Sequence, residues 1–391
     1  MLNTRFSPWP SFTKEEADAV STVLLSNRVN YWTGEECRKF EKEFAAWCGV
    51  SHAVAVANGT LALDLCWKTL GIGAGDEVIV TPRTFLASVS SILTAGAVPM
   101  FADVDINSGN ITPESAARVI TSRTKAILLV HLAGWPCDMT GFAALASTKG
   151  LLLVEDCAQA HGAAWNGVEV GSQTDMAAWS FCQDKIMTTG GEGGMVTMSS
   201  RELWAKAWAY KDHGKSWEAV YDRQHPPGFR WVHESIGTNW RMLEMQAAIG
   251  RIQLHRMAAW TAKRTANANA IMDAARNFTA VRVPDVPRAA RHAHYKSYLY
   301  VRPEALKSDW SRDRIVAEIN ARGVPCYHGS CSEVYLEKAF DSAPGRPAAR
   351  LPVARELGET SIMFLVHPTL TQAEIHLTTT TLRAILIEAQ R

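Results

Sequence analysis

Between residues 53 and 200, short runs of Val, Ile, Leu and Ala alternate with helix-length amphipathic stretches: AVAVA at 53, EVIV at 77, VPMFA at 98, AILLVH at 126, LLLVE at 151, AAWSF at 177 and GMVTM at 194. The runs carry no polar alternation, so each strand must be covered on both faces. That argues against a sheet with one wet face and predicts an α/β fold, a mostly parallel central sheet flanked by helices. In open sheets of this kind ligands sit beyond the carboxyl ends of the strands.

After about residue 200 the character changes. A Trp-rich stretch leads into a long helical pattern, MLEMQAAIGRIQLHRMAAWTAKRTANANAIMDAAR, at 242–276. The segment 281–294 has the Pro and Arg spacing of a connector, and a strand, YKSYLYV, and a helix around 311–322 follow it. We therefore expect a large α/β domain over 1–252 and a smaller C-terminal α/β domain over 253–391. A chain of 391 residues accommodates both.

Forty Lys and Arg against 39 Asp and Glu leave a formal charge of +1, so no global field favours nucleic acid or an acidic membrane. Any phosphate must be held locally. The first thirty residues lack the basic start and apolar core of a signal peptide, and AILLV and LLLV are far too short to span a bilayer. The eight cysteines form no CxxC pair, which fits reduced thiols in a cytoplasmic enzyme better than a disulfide frame or a zinc site. No metal is expected.

Three stretches carry chemistry. Asn58-Gly59-Thr60 follows the first strand and opens a helix, where free amides, a glycine and a hydroxyl make a phosphate cradle. Taken alone, the same tripeptide is an ordinary cap and turn. Glu155-Asp156 closes the run LLLV, and a carboxylate there is costly without a partner. Gln159 and His161 follow within reach of the same cavity, although a capping Asp and a core histidine would explain them equally well. Ser180 and Lys185 stand at the exit of AAWSF, ahead of a Gly-rich loop that is neither a Walker motif nor GxGxxG before a helix. A strand-end lysine is either solvated or held for Schiff-base chemistry. Cradle, Asp and Lys together are the three handles of a pyridoxal phosphate site.

Five ordered blocks carry a resemblance: GDEVIVTPRTFLAS at 75–88, GAVPMFADVD at 96–105, VEDCAQAHGA at 154–163, SFCQDKIMTTGGEGGM at 180–195 and GTNWRMLEMQAAIG at 237–250. Over nearly its whole length the chain resembles the DegT/DnrJ/EryC1/StrS aminotransferases, sugar-modifying members of the fold-type I pyridoxal phosphate enzymes. The resemblance implies that Lys185 forms the imine with pyridoxal 5′-phosphate and shuttles the proton, and that Asp156 pairs with the pyridine nitrogen. Gln159 would lie near the ring's phenolic oxygen and Phe85 would stack on the opposite face. Gly59, Thr60 and Ser180 would hold the phosphate, and Asn239 would reach it from the neighbouring subunit, which implies a homodimer with shared sites.

Three departures stand out. Asp184 precedes the lysine where the family usually has a small or amide residue, Trp135 replaces a common Gln, and Asn58 replaces the usual Ser. Related sugar deoxygenases and dehydratases carry histidine at the lysine position. Lys185 is present, so transamination is expected, with L-glutamate as donor and a nucleotide-linked keto-sugar as acceptor. Amino-sugar biosynthesis for cell-surface polysaccharide, such as lipopolysaccharide or O-antigen, is the expected setting. For the acceptor's diphosphate the candidates are Tyr327 and His328 in VPCYHGSCSEVY, together with Lys211 and Arg230. A keto-cyclitol or other keto compound as acceptor, or a catalytically silent scaffold, are the alternatives. The intact Lys185, Asp156 and Ser180 count against the scaffold.

Overall fold

The computed structural model describes residues 6–391. All seven apolar runs are strands of one sheet: β1 (His52–Val56), β2 (Glu77–Val80), β3 (Val98–Phe101), β4 (Thr124–Val130), β5 (Leu152–Asp156), β6 (Met176–Ser180) and β7 (Gly194–Met198). Their order is β1-β7-β6-β5-β4-β2-β3. Strands β2 to β6 pair in parallel, and β7 runs antiparallel to both of its neighbours. Every residue of β6 and β7 is buried. Each large aliphatic side chain so placed contributes about 1.5–3 kcal/mol, which is why these strands show no polar alternation.

Helices α1 (Lys14–Leu25), α2 (Glu36–Cys48), α3 (Gly59–Leu70), α4 (Leu86–Thr94) and α5 (Arg201–Lys211) belong to this unit. Asn58 caps α3 by accepting from the Leu61 amide at 2.9 Å, and Gly71 ends it in the left-handed conformation. The long pattern at 242–276 is one helix, α6 (Glu244–Ala275). The Glu244 carboxylate accepts from the Cys37 amide at 3.2 Å, so α6 helps cap α2.

A second sheet contains β8 (Val281–Arg282), β9 (Ser297–Val301), β10 (Cys326–Tyr327) and β11 (Ser361–Phe364), in the order β8-β9-β11-β10 and antiparallel throughout. Helices α7 (Arg312–Ala321) and α8 (Gln372–Ala389) pack on it. The stretch 281–294 is therefore more than a connector, because β8 opens it as an edge strand.

The expected division at 252/253 lies inside α6. Leu254 and Met257 join the core of the first sheet, whereas Ala268, Ile271 and Met272 join the second core. Residues near the start of the chain also pack with the second unit. Ser7 Oγ donates to Glu374 of α8 at 3.0 Å, and the Trp9 and His367 rings stack with centroids 6.0 Å apart. Among the described residues no helix is long and apolar enough to cross a membrane.

Candidate active site

The carboxyl ends of β5 and β6 and the first turn of α3 meet around a cavity of about 550 Å³. Asp156, the last residue of β5, is only 6% exposed. One of its oxygens accepts from Ser88 Oγ at 2.7 Å and the other from the Ala158 amide at 3.1 Å. Ser88 lies in α4 and is tied to Thr84 Oγ1 at 2.7 Å. No Lys or Arg pairs with Asp156 among the described residues, so a buried carboxylate faces the cavity without a cation. Such a group is stable where a protonated partner is delivered to it.

At the opposite side, the Gly59 and Thr60 amides belong to the first turn of α3 and have no intrahelical acceptor. The space above them is shaped by the absence of a side chain. A Cβ on Gly59 would stand 2.5 Å from Ser180 Cβ and 2.9 Å from Ser180 Oγ. Gly194 has the matching role behind the cradle, since a Cβ there would meet the Asn58 carbonyl at 2.3 Å. Asn58 thus caps the helix and also lines the cavity. Unpaired amides at a helix start, a hydroxyl and room for a compact anion suit a phosphate group.

Lys185 leaves β6 through a turn in which its amide donates to the Cys182 carbonyl at 3.0 Å. Its own carbonyl accepts from Trp9 Nε1 at 2.8 Å. The side chain is 16% exposed, with Nζ 3.7 Å from Asp184 Oδ1. The Tyr295 hydroxyl donates to the other Asp184 oxygen. Burial alone would raise the Asp184 pKa; Lys185, Tyr295 and Lys296 outweigh it and hold the carboxyl below its ordinary value. Gln159 Oε1 accepts from the Ala133 amide at 2.7 Å, and its NH₂ has no acceptor among the described residues. Phe85, at the start of α4, is 67% exposed beside the cavity. A second cavity of about 500 Å³ shares Thr84, Phe85, Gln159, Asp184 and Lys185 with the first and adds Lys296 and Tyr327.

The structure thus brings together Gly59, Thr60, Phe85, Asp156, Gln159, Ser180 and Lys185. Tyr327 lines the second cavity, its hydroxyl without a hydrogen-bond partner among the described residues. The other expected cations are elsewhere. Lys211 is fully buried, 3.4 Å from Glu41 and 3.5 Å from the Tyr31 ring centroid, so it neutralises a core carboxylate instead of facing the site. His328 turns outward to Asp313, at 3.2 Å, and lines neither cavity. Arg230 donates to the Ala219 and Val220 carbonyls and also lines neither cavity of its own chain. Asn239 is exposed and bridges to Asp212, likewise outside both cavities of its own chain.

His161 does not reach the cavity. It packs against Trp179 and Phe181 with neither ring nitrogen hydrogen-bonded among the described residues, and burial lowers its pKa to about 3. Trp135 is packed against His292 in a separate small hollow, so its contacts are structural. Ser88, Trp9, Tyr295 and Lys296 were not anticipated. Ser88 stands three residues after Phe85, a helical spacing that could have flagged it; the other three have no local signal.

His131, Glu155 and Cys157 bring ligand atoms within 4.8 Å of one another. Their hydrogen bonds are already committed. His131 Nδ1 accepts from the Cys137 amide at 3.0 Å, which leaves Nε2 protonated toward Glu155 at 2.9 Å. The two Glu155 oxygens also accept from Gly171 N at 2.7 Å and Thr174 Oγ1 at 2.9 Å. This is a network that fastens β5, not an open ligand set.

A strand-end lysine, a buried strand-end carboxylate and an anion cradle on a doubly covered sheet form an arrangement suited to the aminotransferase class of α/β enzymes. The pattern of the DegT/DnrJ/EryC1/StrS aminotransferase family matches residues 10–383, and the chain belongs to that family. It is 35% identical over 354 residues to GDP-perosamine synthase of Caulobacter vibrioides, across 89% of this chain and 90% of the relative. It is 34% identical over 358 residues to UDP-N-acetyl-3-dehydro-alpha-D-glucosamine 3-aminotransferase of Acidithiobacillus ferrooxidans, across 92% and 90%. The solved structure of the aminotransferase from Psychrobacter cryohalolentis superimposes with a TM-score of 0.96 at 61% identity, covering 98% of this chain and 99% of that one.

Proposed function

We propose that the first cavity holds pyridoxal 5′-phosphate and that the enzyme moves an amino group from L-glutamate to a nucleotide-linked keto-sugar in two half-reactions at one site. The observation that carries this reading is the placement of Lys185, Asp156 and the start of α3 around one cavity of about 550 Å³. Gly59, Thr60 and Ser180 would hold the phosphate, Asp156 the protonated ring nitrogen, and Gln159 and Phe85 the ring. When bound, the cofactor supplies an electron sink for the bond broken at the substrate carbon.

The chain's own residues do the rest. Lys185 Nζ is the base that takes the proton from the amino-bearing carbon, and the Trp9 bond to its carbonyl fixes the backbone from which it reaches. Asp184, anchored by Tyr295, offers a counter-charge to that amine whenever it is protonated. Asp156, fixed by the two hydrogen bonds it accepts, is the group that would pair with a protonated ring nitrogen.

Two nucleotide-sugar relatives support a nucleotide-linked acceptor, and amino-sugar synthesis for surface polysaccharide is the matching role. Phe229, Trp231 and Ile236 are 74%, 80% and 91% exposed on the segment that also carries Arg230 and Asn239. A second copy covering that apolar segment is the arrangement in which Asn239 and Arg230 would serve the neighbour's cavity. The eight free thiols suit a reducing cytoplasm.

The test is a visible spectrum of the protein loaded with pyridoxal 5′-phosphate, recorded before and after L-glutamate. Bleaching of the yellow band is expected; a protein that stays colourless on loading would sink the reading. A second expectation concerns the cradle. Gly59→Ala should cost about 1–3 kcal/mol of stability by forcing α3 away from Ser180, and it should weaken cofactor binding at least about tenfold. Thermal melts and a cofactor titration measure the two effects, and unchanged cofactor affinity would remove Gly59 from the cradle.

A further inference from the structure

The wall of the second cavity carries a cation that this reading does not use. Lys296 immediately precedes β9, with Nζ 4.7 Å from the Tyr295 ring centroid, while Lys185 Nζ lies 5.5 Å from the same centroid. The two amines therefore flank one aromatic ring. Lys296 makes no ion pair or hydrogen bond among the described residues, and it lines a cavity of about 500 Å³ with Tyr327, whose hydroxyl is also unpartnered. Burial is the main influence on its charge and lowers its pKa to about 8; Asp184 opposes the shift, while Arg264 and Lys185 reinforce it.

The other charged and titratable groups around it do not satisfy it. Asp184 is engaged by the Tyr295 hydroxyl and by Lys185. Arg264, fully buried, has two guanidinium nitrogens without partners among the described residues and adds positive charge. His367 is held neutral by burial, its pKa lowered to about 3. Glu337 also lines the cavity, as an exposed residue. A half-desolvated ammonium with positive neighbours gains most from an anion brought by a ligand.

We propose that Lys296 anchors the anionic end of the substrate, taking a carboxylate of the amino donor in one half-reaction and a phosphate of the acceptor in the other. The inference rests on the function proposed above, because a single site that serves two half-reactions must take both substrates in turn. Glutamate holds its side-chain carboxylate, and the keto-sugar nucleotide its phosphates, away from the reacting carbon, and one unpaired cation on the wall of the second cavity suits both. Tyr327, on the same wall, supplies a hydroxyl to the same group.

The test compares Lys296→Met and Lys296→Arg with the unaltered enzyme, all loaded with pyridoxal 5′-phosphate. Donor affinity is read from bleaching against L-glutamate concentration without acceptor. Acceptor-side affinity is read by calorimetric titration with uridine and guanosine 5′-diphosphates. Lys296→Met should weaken binding about 10- to 100-fold, and Lys296→Arg should restore most of it. Loss for glutamate alone assigns the anchor to the donor carboxylate, and loss for the nucleotides alone assigns it to the phosphate. Unchanged affinity for both overturns the proposal. If Lys296 served only to offset Asp184, its loss would be harmless in an Asp184→Asn background; we expect the weakening to persist there, and its disappearance would also overturn the proposal. Failure of the unaltered protein to bind cofactor or bleach is a separate result, which strikes the aminotransferase reading itself and this inference with it.

Discussion

Replacement of Lys185 by Ala should leave a folded protein that no longer joins covalently to its cofactor and has lost at least about 10³-fold in the donor half-reaction. The fold should survive because the Lys185 side chain holds little in place. Its amide and carbonyl make the bonds to Cys182 and Trp9, and alanine keeps both. Tyr295 still satisfies Asp184 when the ammonium is gone. Circular dichroism should therefore show a near-native spectrum, while rapid mixing with L-glutamate shows no fast bleaching. Full turnover by this variant would remove the lysine from the mechanism.

For Asp156→Asn the expected result has two parts, distinguishable because the side chain has two jobs. Asn can still accept one of the hydrogen bonds from Ser88 and Ala158, but its NH₂ cannot accept the other. One buried donor is left unpaired, at a cost of about 1–3 kcal/mol. The larger effect is on rate. A neutral amide does not keep a ring nitrogen protonated, and losing a preorganised charge of this kind slows the chemical step by about 10²- to 10³-fold. Cofactor affinity should fall far less than the rate of proton abstraction, measured as the deuterium-sensitive bleaching rate with L-glutamate. Equal rates in the two proteins would end the assignment.

Most of the architecture was legible because burial on both faces leaves a plain mark in the residues. Seven runs without polar alternation became seven strands of one sheet, and the unbroken pattern at 242–276 became α6. The centre of the site was legible for a related reason. Asp156, Ser180 and Lys185 each stand at or just after a strand end, and Gly59-Thr60 opens a helix, so short motifs already carry their geometry.

What could not be read depends on distant parts of the chain. Lys211 is an ordinary helix lysine until the fold brings Glu41 and Tyr31 around it. Trp135 stands where Gln is common, and its packing partner, His292, is supplied by a distant part of the chain. Trp9 touches Lys185 across 176 positions of sequence. Lys296 gains its character only when the fold sets it beside Tyr295 on the wall of the second cavity, and no spacing rule announces that.

Helix α6 has one more consequence. It runs for 32 residues without a proline, with its first part in one core and its last part in the other. A rod about 48 Å long at 1.5 Å per residue offers no loop about which the second unit could swing. The spacing of the two cores that α6 joins is therefore settled when the chain folds. Discrimination among acceptors then depends on a ready-made shape, and a bulkier sugar must be admitted by changing side chains on the wall, because α6 leaves little freedom for the walls to part.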